Sequence, residues 1–379
     1  VVGGGVIGLA VAWRAAQRGL RVVLVERAEL GAATSNAAAG MIAPVSEARY
    51  AEQPLLALGL ASARSYPGFV MDLTDASGID PGYLECGTLA AARDEDEAAA
   101  LERELALRQR LGLTVRRLRA SEARRLEPAL SPVLRLGLEV PDDHAIDPRK
   151  LISALATAAV RAGAELRPGT EVTGLQLDRD RVAGLCLSSD QTLPARSVVL
   201  AAGVWSATLS GLPLEARVPL RPVKGQIMFL RDPAGAGMLS RALRMSAGYV
   251  VPRGDGRYVL GATVEERGYD RTVTAGPVYE LLRDAIELVP GVAELVLDEL
   301  IAGLRPATPD NAPVLGAGAI EGLHWATGHY RHGILLAPIT AEILSSSLTG
   351  EEPDELASPF SPNRFASERR PGLAPAVQA

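Results

Sequence analysis

The chain has 379 residues, of which 47% are hydrophobic and 22% are charged, and its formal net charge is −6 at pH 7. This length is sufficient for two domains, while the acidic balance argues against a nucleic acid or an anionic membrane as the main partner. The sequence has no apolar run long enough to span a bilayer, no secretory signal and only two cysteines, Cys86 and Cys186. These features predict a cytoplasmic protein without disulfides or a bound metal.

The first predicted unit is a strand, a glycine turn, a helix and a second strand. The glycines that fit the pattern G-x-G-x-x-G are Gly3, Gly5 and Gly8. Residues 9–18 form a small-residue helical run, and residues 22–25 form an apolar strand that ends in Glu26. Such a turn allows close approach to a pyrophosphate, the helix N-terminus attracts phosphate, and an acid can bind ribose hydroxyls. The unit predicts a dinucleotide site, and its short first strand predicts that further residues precede Val1.

The remaining predicted elements alternate between helices and strands. Asp147 and Pro148 are a typical helix start, and Gly163 ends that helix. The other predicted helices are residues 55–76, 94–111, 278–288 and 334–348. The predicted strands are residues 134–140, 171–177, 182–187, 197–201, 217–230 with a kink at Gly225, 249–252, 258–262, 297–305, 313–316 and 323–327. The strands at 249–252 and 258–262 predict a hairpin around residues 254–256.

Two further stretches of small residues can bring the backbone close to a ligand. They are residues 31–44 and residues 201–203 at the end of a strand. A third contact point is the start of the closing helix, residues 328–333, which is bounded by Gly328 and Gly333. A nicotinamide enzyme usually needs only the first nucleotide unit. The extra contact points therefore favour a larger cofactor.

Several segments, in order along the chain, resemble the D-amino-acid oxidase group of flavoproteins and, within it, the glycine oxidases of thiamine biosynthesis. The closest matches are residues 38–44 (AAGMIAP) and residues 328–338 (GHYRHGILLAP). The other resembling segments are residues 3–26, 34–37, 144–155, 201–206, 222–226, 249–253 and 303–316.

The fold expected from this reading is α/β. It comprises a Rossmann-type FAD-binding domain (residues 1–80, 142–215 and 302–350) and a second, α+β substrate domain on a mostly antiparallel sheet (residues 81–141 and 216–301). Residues 351–379 would form a C-terminal extension, disordered beyond Phe365. The resemblance also implies a homo-oligomer, a tetramer in the related enzymes.

The resemblance implies FAD as the cofactor, bound non-covalently, because no cysteine follows Cys186 and the linkage of some sarcosine oxidases needs one. The first glycines would hold the pyrophosphate, Glu26 the ribose, and Val172 the adenine through its backbone. The residues expected around FAD are Gly3, Gly5, Val6, Ile7, Gly8, Glu26, Arg27, Thr34, Ser35, Ala39, Gly40, Met41, Val172, Ala202, Gly203, Trp205, His329, Tyr330, Arg331, His332, Gly333 and Ile334.

The resemblance also locates the substrate site. Arg305 matches the arginine that pairs with the amino-acid carboxylate, a task suited to its planar fork. Tyr249 matches the tyrosine that shares this carboxylate, and Arg331 matches a second arginine near the substrate. The implied reaction is oxidation of a small amino acid to an imine and then an oxoacid, with dioxygen reduced to hydrogen peroxide.

The sequence leaves three alternatives open. A related oxidase or dehydrogenase would act on sarcosine, D-proline or another D-amino acid. An NAD-dependent dehydrogenase would use only the first nucleotide unit. A non-catalytic nucleotide-binding subunit would bind FAD without oxidising an amine. Pocket volume, which would rank the candidate amines, does not follow from these patterns.

Overall fold

The structure is a computed structural model that describes residues 1–351 and 354–366. The helices in these residues are α1 (Val6–Gln17), α2 (Gln53–Ser77), α3 (Glu95–Arg110), α4 (Ala120–Leu126), α5 (Pro148–Arg161), α6 (Ala275–Leu288) and α7 (Ala337–Thr349). The sequence predicts disorder beyond Phe365. Of those residues the structure describes only Ala366, and residues 367–379 lie outside the described part.

The strands are shorter and more numerous. In chain order they are β1 (Val23–Val25), β2 (Met41–Ile42), β3 (Thr88–Ala92), β4 (Arg116–Arg119), β5 (Leu136–Val140), β6 (His144–Ala145), β7 (Glu165–Arg167), β8 (Val172–Asp178), β9 (Arg181–Leu187), β10 (Thr192–Pro194), β11 (Val198–Leu200), β12 (Arg221–Arg231), β13 (Ala242–Arg244), β14 (Tyr249–Pro252), β15 (Arg257–Gly261), β16 (Val296–Ala307), β17 (Val314–Ala317) and β18 (Leu323–Thr327).

A parallel sheet carries the glycine turn. Strands β1 and β7 are parallel, and Val2 forms parallel bridges with Val25 and Leu200, so the first residues lie between β1 and β11. Strand β11 pairs with β18 in the parallel direction, and β17 pairs with the other edge of β18 in the antiparallel direction. Helix α1 contacts α5 and α7. This arrangement confirms the predicted Rossmann-type unit.

Helix α1 forms because its small and apolar residues are buried on nearly every side. The residues from Leu9 to Trp13 are fully buried, and the Trp13 ring meets the edge of Phe69 at 5.5 Å between centroids. A Cβ on Gly8 would collide with the carbonyl oxygen of Gly3. The third glycine of the motif therefore lets the helix pack directly on the turn.

A second sheet of eight strands has the order β16-β12-β15-β14-β13-β3-β5-β4. Its neighbours are antiparallel except for the parallel pair β13 and β3, which confirms the mostly antiparallel sheet. Its core includes Met228, Tyr258 and Leu260 packed with Leu281 and Leu288 of α6. The residue boundaries between the two domains remain a prediction.

Two predicted local features differ in the structure. Gly225 was expected to kink its strand, but it pairs in register with Gly303, and the register of β12 shifts only between Phe229 and Leu230. The closing helix was expected from residue 334. Residues 333–336 instead form a turn, and α7 begins at Ala337, with a proline in its first turn.

No helix in residues 1–351 and 354–366 combines the length and the apolar character needed to cross a membrane. The same residues contain no cluster of three or more His, Cys, Asp or Glu side chains suited to a metal ion.

Candidate functional site

A cavity of about 1040 Å³ is lined by residues of the parallel sheet and of the eight-stranded sheet. Its wall includes the glycine turn, the small-residue stretch after β1, the loop between β13 and β14, and residues 326–335. Every residue predicted around FAD lines it except Gly8, which packs beneath the turn instead. Arg305, Tyr249 and Arg331 line the same cavity. The structure thus brings together segments that are more than 300 residues apart.

One end of the cavity has the features of a phosphate site. Gly3 has φ +109, and a Cβ there would lie 2.6 Å from the carbonyl oxygen of Ala201. The N-cap of α1 is Gly5, and the first turn of this helix carries no acidic residue. The Val6 N–H donates to Ser35 Oγ at 3.0 Å. An open helix N-terminus with a serine beside it suits a pyrophosphate.

The Glu26 carboxylate holds the backbone of the glycine turn and of its own loop through two hydrogen bonds. Its Oε2 accepts the Gly4 N–H at 2.7 Å, and its Oε1 accepts the Ala28 N–H at 3.0 Å. Each carboxylate oxygen can accept a further hydrogen bond, so the side chain can meet a ribose hydroxyl while holding the backbone around it.

The Arg27 guanidinium and the Trp205 ring form another part of this wall. The guanidinium lies 4.2 Å from the centroid of the Trp205 ring. The Trp205 centroid lies 6.2 Å from that of Tyr269, a tilted ring that does not line the cavity. Arg27 and Trp205 both line the cavity, as does Val172. These flat groups are suited to a nucleotide base.

The small-residue stretch is tied to the strand that carries Arg305. Thr34 Oγ1 donates to the carbonyl oxygen of Leu304 at 2.6 Å. A Cβ on Gly303 would lie 2.7 Å from the Cβ of Ala37. Any side chain at Gly303 would therefore separate the stretch from β16.

Arg305 is fixed by two carbonyl groups and a glycine. Its Nη1 donates to the carbonyl oxygens of Thr263 at 2.9 Å and Lys224 at 3.2 Å. A Cβ on Gly225 would lie 2.5 Å from Cζ and Nη1 of Arg305, and closer still to Nη2. The guanidinium therefore occupies the space that a side chain at residue 225 would fill. The sequence pattern predicts only a kink at Gly225 and does not indicate this contact.

Tyr249 lies near this guanidinium. Burial raises the pKa of the Tyr249 phenol, and the positive charge of Arg305 partly opposes the shift. The phenol therefore remains protonated at neutral pH, where it can donate a hydrogen bond.

Arg331 forms an ion pair with Glu47, with Nη1 and Oε2 3.1 Å apart. Burial favours a higher pKa for the Glu47 carboxyl, but Arg331 and the neighbouring cationic groups, Arg244 among them, bring the pKa below its ordinary value. Glu47 is thus ionised. No motif in the sequence indicates this partner, because Glu47 lies 284 residues before Arg331.

The two histidines of the late glycine segment are neutral at physiological pH. Burial lowers the pKa of His329 to about 3 and that of His332 to about 4. His329 Nε2 lies 3.0 Å from Thr340 Oγ1. Both imidazoles line the cavity as uncharged groups.

The cavity also extends beyond every residue predicted for FAD or substrate. This outer chamber is bounded by α3, β3 and the end of β13 and includes Ala90, Leu101, Glu104, Arg108 and Arg244. The sequence predicts a helix at residues 94–111 but gives no sign that its side chains line a cavity.

The proteins that this chain resembles in sequence are FAD-dependent oxidoreductases, in agreement with the dinucleotide features of the cavity. The profile of the family described as FAD dependent oxidoreductase (DAO) matches residues 1–347. Over 98% of its length the chain is 37% identical to the bifunctional protein ThiO/ThiG of Synechocystis sp., of which it covers 54%. It is 35% identical to glycine oxidase of Geobacillus kaustophilus, and the match covers 96% of each. The chain thus spans about half of the bifunctional relative and nearly all of the single-function one.

Solved structures give the same result. The chain matches glycine oxidase from Geobacillus kaustophilus with a TM-score of 0.88 and 36% identity, covering 96% of this chain and 97% of that one. It matches iminodiacetate oxidase from Chelativorans sp. BNC1 with a TM-score of 0.85 and 30% identity, covering 95% and 98%.

Proposed function

The chain belongs to the FAD dependent oxidoreductase (DAO) family, and we propose that it oxidises glycine or a similar small amine to the imine while dioxygen is reduced to hydrogen peroxide. Each turnover removes a hydride from Cα and a proton from nitrogen, and these two hydrogens leave in the peroxide. Water then converts the imine to an oxoacid and ammonia or the corresponding amine. FAD, when bound, supplies the hydride acceptor and the reaction with dioxygen.

The residues present fit FAD. Gly3 and Gly5 leave room for a pyrophosphate at the open N-terminus of α1. Glu26 lines the same part of the cavity and would bind the ribose hydroxyls, and its negative charge disfavours a 2′-phosphate. Residues 328–334 would lie near the ring system. No cysteine follows Cys186, so the cofactor would be held without a covalent thioether.

The placement of Arg305 is the observation that carries the substrate assignment. Its two carbonyl partners use Nη1, so the Nε and Nη2 donors form the edge that can meet a carboxylate bidentately. The protonated Tyr249 phenol supplies a second donor. An amino acid held by its carboxylate in this way keeps one orientation of its Cα–H bond in the cavity. This orientation is the main contribution that the protein makes to the rate.

No side chain of this constellation has to take the Cα hydrogen. The pKa values of about 3 for His329 and about 4 for His332 make both imidazoles weak bases, and the Tyr249 phenol stays protonated. The substrate reacts as its neutral amine, and the cationic Arg305 disfavours a second positive charge beside it. Binding and orientation therefore account for the chemistry that this chain has to perform.

The decisive experiment is anaerobic reduction of the purified flavoprotein with glycine, sarcosine, D-alanine and D-proline in parallel. Bleaching of the flavin band by at least one of them supports the proposal. Absence of flavin absorption would favour a nicotinamide enzyme, and flavin that no amine bleaches would favour a non-catalytic subunit.

A variant tests the carboxylate partner. Arg305→Ala should lower kcat/KM by on the order of 3 kcal/mol, roughly 10²-fold, because a buried charge loses its partner. Arg305→Lys, which keeps the charge but not the fork, should lose less. An unchanged kcat/KM in Arg305→Ala would overturn the assignment.

We further propose that the protein is a cytoplasmic homo-oligomer whose product supplies thiamine thiazole synthesis. The similarity to glycine oxidases of thiamine biosynthesis supports the pathway, and the scarcity of cysteine supports the compartment. Light scattering of the holoprotein would measure the oligomeric state, and a monomer at micromolar concentration would contradict it.

A further inference from the structure

The loop between β15 and α6, residues 262–274, borders the substrate side of the cavity. It forms no helix and, apart from a bridge between Glu265 and Lys224, no strand pairing. Most of its side chains are exposed, and Val264 is 61% exposed. Ala262 and Val264 nevertheless line the cavity. A loop of this length without secondary structure is uncommon in a compact domain, and functional loops are a main exception.

Lys224 of β12 anchors this loop with its backbone and with its side chain. Its N–H and carbonyl oxygen pair with the carbonyl oxygen and N–H of Glu265, at 2.9 and 3.0 Å. Its Nζ lies 3.0 Å from Asp270 Oδ2 and 3.6 Å from Glu265 Oε2. The lysine side chain is only 1% exposed, whereas that of Asp270 is 43% exposed. Lysine is almost never fully buried unless it is paired, so the loop carboxylates and the ammonium hold each other in place.

Gln226, two residues further along β12, holds the loop near both of its ends. Its N–H donates to Thr263 Oγ1 at 2.9 Å, and its Nε2 donates to Glu265 Oε1 at 2.8 Å. At the other end, its Oε1 accepts the Thr274 N–H at 2.9 Å, and its Nε2 donates to Thr274 Oγ1 at 3.1 Å. Gln226 is fully buried. Both polar atoms of its side chain are thus used to fix the loop.

The two carboxylates of the loop are ionised. Hydrogen bonding by Thr272 and the neighbouring Lys224 ammonium hold the pKa of the Asp270 carboxyl well below its ordinary value. Burial favours a higher pKa for Glu265, but the hydrogen bonds that its carboxylate accepts bring the pKa below its ordinary value. We refer to the contacts of Lys224 and Gln226 with Thr263, Glu265, Asp270 and Thr274 as the loop latch.

The loop latch presents the carbonyl groups that hold the substrate arginine. Arg305 Nη1 donates to the carbonyl oxygens of Thr263 and Lys224. One acceptor is on the loop and the other on the strand, so the guanidinium meets both only while the loop is held against β12. Side chains alternate along a strand, so Lys224 and Gln226 project from the face opposite to Gly225, and neither lines the cavity. They can therefore affect a substrate only indirectly.

We propose that Lys224 and Gln226 are positioning residues for substrate binding: they hold residues 262–274 against β12 and so keep the Arg305 guanidinium aimed at the substrate carboxylate. The inference rests on the proposed pairing of Arg305 with that carboxylate. It also gives a role to the two polar side chains of residues 222–226, for which the sequence pattern alone indicates none.

The test measures how strongly the purified flavoprotein prefers glycolate to its neutral amide, glycolamide. Both are close to glycine in size and have no amine to oxidise, and their binding is followed by the change in flavin absorption. The ratio of the two dissociation constants reports the carboxylate contact and cancels differences in folding and flavin content. Hydrogen bonds between charged groups are strong, so the wild type should prefer glycolate by at least about tenfold.

Three substitutions disrupt the loop latch from its two sides. Lys224→Met and Gln226→Met keep an unbranched side chain of similar length without the polar contacts, and Asp270→Asn removes a loop charge without altering the core. Each should lower the preference by about threefold to tenfold, since a shift of about 1 Å in a positioning group costs up to about 10²-fold. The matched control is Asp298→Asn, which should keep the wild-type preference. Asp298 is 39% exposed and pairs with Arg231 of β12 at 3.0 Å.

The signs of these effects separate positioning from simple electrostatics. If Lys224 acted only through its charge, Lys224→Met would lower the preference for an anion, whereas Asp270→Asn would raise it. Positioning predicts a fall in both. In an Arg305→Lys background, Lys224→Met should have little further effect, because the guanidinium that the loop latch holds is absent. A merely structural role would lower thermal stability or flavin content and leave the preference unchanged.

The outcomes distinguish this inference from the proposed function. An unchanged preference in all three variants, or a higher one in Asp270→Asn, would overturn the positioning role while the proposed oxidation stands. A wild type that binds glycolate and glycolamide equally would show that Arg305 is not the carboxylate partner, and the inference would fail with that assignment. The proposed oxidation is scored separately, by flavin reduction in the wild type, so its failure is distinguishable from either result.

Discussion

Substitution of Gly225 by alanine tests how Arg305 is positioned. Gly225 pairs with Gly303 and lies two residues from Val223, the partner of Arg305. All of these residues therefore project from one face of the sheet. The added Cβ would lie 2.5 Å from Cζ and Nη1 of Arg305, whereas ordinary contacts between such atoms begin near 3.4 Å. The guanidinium must retreat by roughly 1 Å, since β12 is held on both sides by neighbouring strands.

The cost can be estimated from the contacts that this movement breaks. Arg305 loses the hydrogen bonds to Thr263 at 2.9 Å and Lys224 at 3.2 Å, and hydrogen bonds to charged groups contribute about 1.5–3 kcal/mol. A displacement of about 1 Å in a positioning group lowers the rate by up to about 10²-fold. We therefore expect kcat/KM to fall by about 2–3 kcal/mol, with FAD content unchanged because the glycine turn belongs to the other sheet.

The assay is steady-state oxidation of the best amine from the reduction panel, with flavin content and thermal stability measured on the same samples. Gly276→Ala is the matched control, because a Cβ at Gly276 in α6 meets no atom within 4 Å. That control should keep wild-type kcat/KM and gain a little stability from the lower entropy of its unfolded chain.

A double-mutant cycle separates positioning from general damage. Arg305→Lys should cost about 1 kcal/mol less in the Gly225→Ala background than in wild type, because the fork is already displaced there. Additive effects of the two substitutions, or a Gly225→Ala enzyme with wild-type kcat/KM, would refute the proposed role of this glycine.

Three further outcomes are expected. Glu26→Ala should weaken FAD binding by about 1.5–3 kcal/mol, since the carboxylate braces Gly4 and meets the ribose; FAD occupancy that survives dilution as in wild type would show that Glu26 is not the ribose ligand. Denaturation with acid should release all flavin into the supernatant, because no cysteine follows Cys186; yellow precipitate would contradict non-covalent binding. Burial raises the pKa of Asp143 from its ordinary value of 3.8 to about 6. Its contribution to stability is therefore full below about pH 4 and is lost as pH rises through about 6, a change of about 3 kcal/mol. Relative to wild type, Asp143→Asn should gain stability over that pH range in urea unfolding, and parallel curves would contradict the shift.

The features that the sequence predicted are local in the chain. The glycine turn, Glu26 and the late glycine segment are continuous motifs, so their residues and the FAD family could be identified without a structure. The fold class, which the structure confirms, could be predicted for the same reason, because alternating helices and strands follow from short-range patterns. Helix ends were less accurate: α7 begins at Ala337 rather than at residue 334, since an apolar turn has the same composition as the first turn of a helix.

The features that the sequence missed depend on strand pairing. Gly225 leaves space for the guanidinium of Arg305, which is 80 residues later in the chain, and no pattern around Gly225 indicates this contact. Arg244 is one of many arginines, and only its register with Tyr249 places it in the cavity. The acidic run from Asp94 to Glu104 is typical of a solvated helix face, and its first residues are exposed, but Glu97 and Glu104 line the cavity. Contacts of this kind need the sheet order, which depends on long-range pairing.

The same sheet geometry explains how substrate choice can change while the cofactor site stays fixed. Arg305 extends over Gly225, and Tyr249 and Arg244 follow on the same face of neighbouring strands. Strands are spaced about 4.8 Å apart, so the row of side chains sets the distance at which successive groups of a substrate are met. The glycine turn and Glu26 lie on a different sheet. A substitution at Gly225 should therefore displace the guanidinium proposed to bind the substrate carboxylate, while the glycine turn and Glu26 keep their contacts.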